Sequence, residues 1–140
     1  MQTIKDLQQY TFPALWKNSL AKFSNRPALS FVNGTPFTYQ QINDKIIQVS
    51  SILQSLGIKK GDRVSIFSTS MPNWGASYFG IVNIGAIAVP LLPDFSTIEV
   101  QSILNHAQVS VMFVAEKLWN KIKDLPESVL PIVIKLDDFT

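Results

Sequence analysis

The chain contains no cysteine and a single histidine, His106. Without cysteine, disulfide bonds, thiolate nucleophiles and cysteine-ligated zinc are excluded. One histidine with no acidic partner nearby in the sequence cannot by itself form a metal site or a catalytic triad. Its position after Asn105 at a predicted helix end has a structural explanation, because a positive ring is favourable near a helix C-terminus. The sequence therefore assigns no catalytic residue, no cofactor-binding residue and no metal ligand.

Charge is also scarce. Charged residues make up only 16% of the chain, and the formal net charge is +2. Lys and Arg are scattered rather than gathered into a stripe, which argues against nucleic-acid binding. Apolar residues reach 46%, so a folded chain is expected rather than a disordered one. With so few charged residues, the surface carries less charge than a free-standing domain normally has. We therefore expect exposed apolar groups near the C-terminal strand, and self-association through them.

Two phosphate-binding motifs are absent, the G-x-x-x-x-G-K-[ST] loop and G-x-G-x-x-G. Gly75, Gly80 and Gly85 recur every five residues, a spacing that does not make a phosphate cradle. Close packing of a helix on the sheet is the favoured explanation for these glycines.

Thirty consecutive residues, from Val64 to Pro93, carry no charged side chain. Apolar surface of this extent must be buried, either in lipid or in protein. A single membrane span is disfavoured because three glycines interrupt the run and no Lys or Arg cluster flanks it. The favoured interpretation is a β-α-β unit whose strands are apolar on both faces. Its elements are strand Val64–Ser68, helix Pro72–Ile84 and strand Ala86–Leu92.

The segment before this unit predicts a helix, a β-hairpin and a second helix. The first two comprise helix Phe12–Phe23 and the hairpin strands Ala28–Val32 and Phe37–Tyr39. Thr38 and Gln41 form a capping box that opens the second helix, and Gly57 ends it in a left-handed conformation. Its apolar stripe consists of Ile42, Ile46, Val49, Leu53 and Leu56.

The segment after the unit continues the alternation of helices and strands. A capping box at Ser96 and Glu99 opens a helix. This helix carries Ile98, Ile103 and Leu104 on its apolar face, and after it come strand Val109–Ala115, short helix Glu116–Leu125 and strand Val129–Leu136. The alternation predicts an α/β fold with a mainly parallel sheet flanked by helices, entered through an N-terminal helix and hairpin. Because no crossover helix follows the last strand, we expect a partial domain of a larger protein.

Ser68-Thr69-Ser70 is the main candidate for ligand contact. It follows a predicted parallel strand, at the edge where open α/β sheets bind ligands. Hydroxyls beside a helix N-terminus can hold an anion. The structural alternative, which is favoured, is that Ser70 caps the helix begun by Met71-Pro72.

The remaining polar and aromatic groups have structural interpretations. Asp137 and Asp138 are adjacent on an extended segment and point opposite ways, so a solvated loop is expected rather than a catalytic pair. The N-terminal helix is amphipathic, and packing on the protein is favoured over contact with a membrane surface. The first ten residues lack the apolar core of a signal peptide, which predicts a cytoplasmic protein. Core or interface positions are expected for the three tryptophans, Trp16, Trp74 and Trp119.

An ordered set of short segments resembles the start of the adenylate-forming (AMP-binding) superfamily. The segments are Phe37-Thr38-Tyr39, Gly61-Asp62-Arg63-Val64, Asn73-Trp74, Phe79-Gly80-Ile81, Gly85-Ala86-Ile87-Ala88-Val89-Pro90-Leu91 and Asn105-His106-Ala107. Their order and spacing are similar to those of acyl-CoA synthetases over nearly the whole chain. Around Pro90–Ser96 the sequence is most similar to bacterial long-chain fatty-acid–CoA ligases.

The resemblance implies that residues 1–140 are the N-terminal part of the large AMP-binding domain of an acyl-CoA synthetase, with no second domain in this chain. Such a ligase activates a fatty acid with ATP and Mg²⁺ as an acyl-adenylate and transfers the acyl group to CoA. The family's phosphate loop and catalytic lysine have no counterpart in this sequence. We therefore carry over no site residue, and expect the chain alone to be inactive and to bind no cofactor.

The resemblance also implies partners and leaves an alternative. The implied partners are the rest of the parent polypeptide and, for the whole protein, the fatty acid. The alternative, from another functional class, is a self-contained α/β binding or assembly module without catalytic activity, because a shared fold does not fix a function.

Overall fold

The computed structural model describes residues 9–140. Six strands and four α-helices alternate through them, with a 3₁₀ helix before the last strand. The helices are α1 (Phe12–Phe23), α2 (Tyr39–Ser55), α3 (Pro72–Asn83) and α4 (Thr97–Ala107), and the 3₁₀ helix is Glu116–Lys121. The strands are β1 (Pro27–Leu29), β2 (Phe37–Thr38), β3 (Arg63–Phe67), β4 (Ile87–Leu91), β5 (Val111–Val114) and β6 (Ile132–Lys135).

The main sheet has four parallel strands in the order β4-β3-β5-β6. One apolar cluster packs α2 and α3 on one face of the sheet. A second cluster packs α4 and the 3₁₀ segment on the other face. Strands β1 and β2 form a separate antiparallel pair. The predicted α/β class, with a parallel sheet flanked by helices and entered through an N-terminal helix and hairpin, is therefore confirmed.

The uncharged run forms the predicted β-α-β unit, but its two strands differ in burial. Strand β3 lies between two neighbours and is buried along Val64–Phe67. Strand β4 is at the sheet edge, so the expectation that both strands are buried on both faces is wrong for β4, where Ile87 and Pro90 are exposed. Pro90 suits an edge, because it has no N–H to offer a further strand.

Helix α2 begins and ends as its local signals predict. The Thr38 hydroxyl accepts a hydrogen bond from the Gln41 N–H, and the Gln41 side chain accepts one from the Thr38 N–H. Gly57 adopts a φ of +80°, which closes the helix in the left-handed region. The predicted stripe is buried except at Leu56, which is exposed, because the chain turns there and Ile58 enters the core instead.

Helix α4 has the predicted capping box but a different buried face. The Ser96 N–H donates to the Glu99 carboxylate, and the Ser96 hydroxyl accepts from the Glu99 N–H. Val100 and Leu104 are buried, whereas Ile98 is 79% exposed, so the prediction for Ile98 is wrong. Val100 lies in the same first turn as Ile98 and is fully buried. Ile98 is exposed because it lies on the opposite side of the helix, roughly 200° from Val100 around the axis.

The predicted short helix Glu116–Leu125 is also corrected. Its first part is a 3₁₀ helix, and turns follow it as far as Leu125. Its buried residues are Leu118, Ile122 and Leu125. Trp119, expected in the core or at an interface, is 42% exposed.

The hairpin and the last two strands are shorter than predicted. β1 and β2 pair with a register irregularity, and Phe31 and Val32, predicted within the first strand, are exposed beyond it. β5 and β6 each lose residues at both ends of the predicted strands. Near the C-terminal strand, the expected exposed apolar groups are confirmed at Ile132 and Trp119.

The glycines of the uncharged run serve close packing, as predicted, but chiefly between helices. A Cβ on Gly80 would lie 2.5 Å from Cγ1 of Val49 on α2, which is closer than two non-bonded carbon atoms approach in proteins. A Cβ on Gly75 would lie 3.0 Å from Cδ1 of Leu29. The predicted contact of this helix face with the sheet is therefore corrected to a contact with α2 and β1.

Candidate functional site

The topology places a crevice at the carboxyl edge of the parallel sheet. Strands β3 and β5 are neighbours, and the connections that follow them cover opposite faces of the sheet. Open α/β sheets bind ligands at such a switch point. The Ala115 N–H donates to the Phe67 carbonyl at 3.0 Å, which holds the two strand ends together.

A cleft of about 370 Å³ opens beside this point, between the loop after β3 and the loop after β4. Ser68 is buried there, and its hydroxyl donates to the Thr69 carbonyl at 2.8 Å. The predicted capping by Ser70 is wrong, because the N-cap residue of α3 is Met71 and no side-chain hydrogen bond caps this helix. The complete lining is Ser68, Thr69, Ser70, Trp74, Pro90, Leu91, Leu92 and Pro93.

Trp74 gives the cleft an aromatic wall. Its indole stacks on Tyr78, one turn further along α3, with 5.6 Å between ring centroids and 6° between the planes. Serine and threonine on one side and tryptophan and prolines on the other make a surface suited to a neutral or apolar group.

Of the residues from 9 to 140, none with a charged side chain lines the cleft. Within residues 9–140, no three His, Asp or Glu side chains gather closely enough to hold a metal ion. A site for a nucleoside triphosphate with Mg²⁺ needs cationic groups for the phosphates and carboxylate or hydroxyl ligands for the metal. The lining of this cleft therefore does not fit an ATP or Mg²⁺ site.

Lys121 anchors the loop that forms one wall of the cleft. Its Nζ donates to the carbonyls of Pro93 at 2.7 Å and Phe95 at 3.1 Å. The Thr97 hydroxyl donates in turn to the Lys121 carbonyl at 2.8 Å. The 3₁₀ helix after β5 thus fixes the loop after β4.

Asn73 connects the start of α3 to the end of β6. Its side chain is buried, and its Nδ2 donates to the carbonyls of Leu136 and Asp137, each at 2.9 Å. Sequence reasoning used Asn73 only as part of a resemblance and missed this contact. Its one detectable signal was a polar side chain inside an uncharged run.

Asp137 and Asp138 lie in the turn after β6 rather than on the extended segment predicted for them, and they have different partners. The Asp137 carboxylate accepts from the Glu116 N–H at 2.7 Å, and Asp138 pairs with Lys135 at 2.7 Å. Hydrogen bonds from Lys135 and then Thr140 hold the pKa of Asp138 below its usual value. The same pair raises the pKa of Lys135. Both carboxylates are exposed, as expected for a solvated loop. Their hydrogen bonds nevertheless hold the turn after β6 in place.

The other candidate residues lie apart from the cleft. His106 is exposed in the last turn of α4, at the amino edge of the sheet. Trp16 lies on α1, where its Nε1 donates to Asn43 on α2 at 3.1 Å. That contact confirms the predicted packing of α1 on the protein. Among the described residues, none of the helices has the length and apolar character needed to cross a membrane.

The chain belongs to the AMP-binding enzyme family, whose sequence model matches residues 16–140. It is 31% identical over 115 residues to a long-chain-fatty-acid–CoA ligase of Bacillus subtilis, covering 82% of this chain and 20% of that protein. It is 28% identical over 115 residues to a crotonobetaine/carnitine–CoA ligase of Salmonella paratyphi B, covering 79% and 22%. The chain thus spans about a fifth of the length of these curated relatives.

A solved structure shares the fold. The crystal structure of the anthranilate CoA ligase AuaEII in complex with anthranoyl-AMP superimposes with a TM-score of 0.86 at 23% identity. The match covers 99% of this chain and 27% of that one. The described elements therefore recur as one part of a larger adenylate-forming enzyme.

Proposed function

We propose that residues 1–140 form the N-terminal part of the large domain of an ATP-dependent acyl-CoA ligase. The proposed reaction joins a carboxylate to AMP with release of pyrophosphate, and then transfers the acyl group to the thiol of CoA. The proposed substrate is a long-chain fatty acid, and the proposed site of action is the cytoplasm. The observation that carries the proposal is the family match over residues 16–140.

The fatty-acid assignment has narrower support. It follows the 31% identity to the Bacillus subtilis ligase, which exceeds the 28% identity to the crotonobetaine/carnitine ligase. The matched segments are proposed to be scaffold rather than a substrate pocket. Acyl chain length is therefore the first quantity to measure.

ATP, Mg²⁺ and CoA are proposed cofactors and substrates of the longer protein. The uncharged cleft at the carboxyl edge does not fit them. The proposed role of residues 9–140 is to supply the parallel sheet and the loops on which other parts of the ligase form the site. We assign no catalytic residue within them.

The second candidate function, a non-catalytic α/β module, rests on the same uncharged cleft. The two functions differ in one observable property of the longer gene product. A ligase releases AMP and forms a CoA thioester only when a carboxylate is supplied, whereas a binding module does neither.

The test is a thioester assay on the product of the longer reading frame with ATP, Mg²⁺ and CoA. Carboxylates from octanoate to palmitate, crotonobetaine and benzoate are compared at equal concentration. We expect AMP release and thioester formation, greatest with the long-chain acids. Turnover with benzoate or crotonobetaine alone would overturn the fatty-acid assignment, and no turnover with any acid would overturn the ligase assignment.

A further inference from the structure

We propose that Asn73 is a positioning residue of the ligase: it locks the loop after β3 to the backbone that leaves β6. The inference rests on the proposed function, because the carboxyl edge of the sheet is taken as the side on which the ligase site is built. It concerns a residue that contacts other loops rather than the reacting groups.

The geometry of Asn73 uses both hydrogens of one amide nitrogen. The two acceptors are successive carbonyls, those of Leu136 and Asp137, each 2.9 Å from Nδ2. The side chain is only 8% exposed, so the bonds are formed away from bulk water, where loss of a partner is costly. Ser offers a single donor and an ionised Asp none, so neither can make both bonds.

The contact joins elements that the sheet itself does not join. Strand β5 lies between β3 and β6, so no ladder hydrogen bond connects β3 or its following helix to β6. Asn73, at the start of α3, crosses this gap. Asp137 extends the connection, since its carboxylate accepts from the Glu116 N–H at the start of the 3₁₀ helix. Three segments that follow β3, β5 and β6 are therefore held by Asn73 and Asp137 together.

The segment after β6 is well placed to transmit this restraint. Phe139 is buried in the α2–α3 core and meets Phe113 edge to face at 6.1 Å. Lys135 pairs with Asp138 at 2.7 Å. With residues 136–140 fixed in this way, the Asn73 amide bonds tie the start of α3 to a rigid support rather than to a loose tail. The Ser68–Ser70 loop, which leads directly into α3, is then held in one position.

The test uses Asn73→Asp in the longer protein, with Asn83→Asp as the matched control. Both changes replace an amide by an isosteric carboxylate on α3. Asn83, however, is exposed, and within residues 9–140 its Nδ2 donates to a single acceptor, the Ser50 hydroxyl, at 3.2 Å. Deuterium exchange is measured in peptides covering residues 68–75, 111–115 and 135–140. Carboxylate-dependent ATP–pyrophosphate exchange gives kcat and KM for the same preparations.

For Asn73→Asp we expect faster deuterium exchange in residues 68–75 and 135–140, with residues 111–115 unchanged. A displaced site loop lowers reaction rates steeply, so we expect kcat to fall by about tenfold with little change in KM. Lower pH protonates the introduced carboxylate and restores one O–H donor, so protection of the two segments partly returns. Asn73→Ser, which keeps one donor without a charge, gives intermediate values and serves if the Asp variant does not fold.

Equal deuterium exchange in Asn73→Asp and Asn83→Asp would overturn the proposal. Faster deuterium exchange in Asn73→Asp with an unchanged kcat would also overturn the proposal, because Asn73 would then have a purely structural role. If the wild-type protein shows no carboxylate-dependent exchange of pyrophosphate, the proposed function fails, while the deuterium comparison still decides whether Asn73 restrains the two segments.

Discussion

Replacing Gly80 by alanine tests the packing of α2 on α3 at its tightest point. The added Cβ would lie 2.5 Å from Cγ1 and 2.7 Å from Cβ of Val49, and 3.1 Å from the Ile46 carbonyl oxygen. Val49 is fully buried and its branched side chain cannot turn away. The two helices must therefore separate, which also stretches the bond that the Ser50 hydroxyl donates to the Gly80 carbonyl at 3.0 Å.

The expected free-energy change is the balance of two effects. Alanine favours the helix by about 1 kcal/mol relative to glycine. Overpacking a close-packed interface costs about 3 kcal/mol at the upper end of the usual range, which fits a contact with no flexible neighbour. We expect a net destabilisation of about 2 kcal/mol, or a fall in Tm of about 8 °C for a chain of this size. Urea denaturation and calorimetry measure the two quantities.

Gly75→Ala is the matched control on the same helix. Its added Cβ would meet only Cδ1 of Leu29, the far end of a flexible side chain, at 3.0 Å. We expect this variant to be as stable as wild type or more stable by up to about 1 kcal/mol. Val49→Ala should relieve Gly80→Ala, with a coupling energy of about 1 kcal/mol or more in a double-mutant cycle. A Gly80→Ala protein as stable as Gly75→Ala would refute this description of the interface.

Three further predictions concern single contacts. Arg63→Ala removes donors to the carbonyls of Ala107 and Gln108 at the end of α4, and should lower the unfolding free energy by about 2 kcal/mol in urea titration, with only partial recovery in Arg63→Lys. An unchanged urea midpoint would contradict it. Lys121→Met should speed amide exchange of Phe95 without affecting core strand β5, and equal protection in both proteins would exclude the anchoring role. Hydrogen bonds from Ser96 lower the pKa of Glu99 in the folded protein. The contribution of Glu99 to stability is therefore complete above the pKa of about 4 that its carboxyl has in the unfolded chain, and it is lost as the pH falls through the lower pKa of the folded state. Ser96→Ala should raise the pKa of Glu99 in a carboxyl NMR titration, and an unmoved titration would contradict the capping box.

Features set by short-range chemistry could be predicted from the sequence. The capping boxes at Thr38 and Ser96 involve residues three apart, and Gly57 ends a helix through its own backbone freedom. The uncharged run identified a β-α-β unit because helix length, glycines and prolines are all visible locally. For the same reason, the bounds of α1 and α3 agree with prediction to within one residue.

Features set by tertiary contacts could not be predicted. Asn73 and Leu136 are 63 residues apart, and nothing near either residue shows that they meet. Which strand lies at the edge depends on strand order. Pro90 inside β4 is a local feature that favours an edge, but apolar spacing alone does not show the exposure of Ile87. Spacing assigns Ile98 to an apolar face with Ile103 and Leu104, but the face that α4 buries is the one that carries Val100 and Leu104, on the opposite side from Ile98. One wall of the cleft, Ser68-Thr69-Ser70, is the predicted candidate for ligand contact, because it follows a parallel strand. The rest of the lining, Trp74 on α3 and Pro90–Pro93 at and after the end of β4, carries no local signal of a site.

The scaffold role of residues 1–140 is decided by ATP–pyrophosphate exchange with palmitate, measured side by side on these residues and on the longer protein. We predict palmitate-dependent exchange by the longer protein and none above background by residues 1–140, because the proposed role of residues 9–140 is to supply the sheet and loops on which other parts of the ligase form the site. Exchange by residues 1–140 alone would contradict this role, as would a longer protein that exchanges with no carboxylate at all.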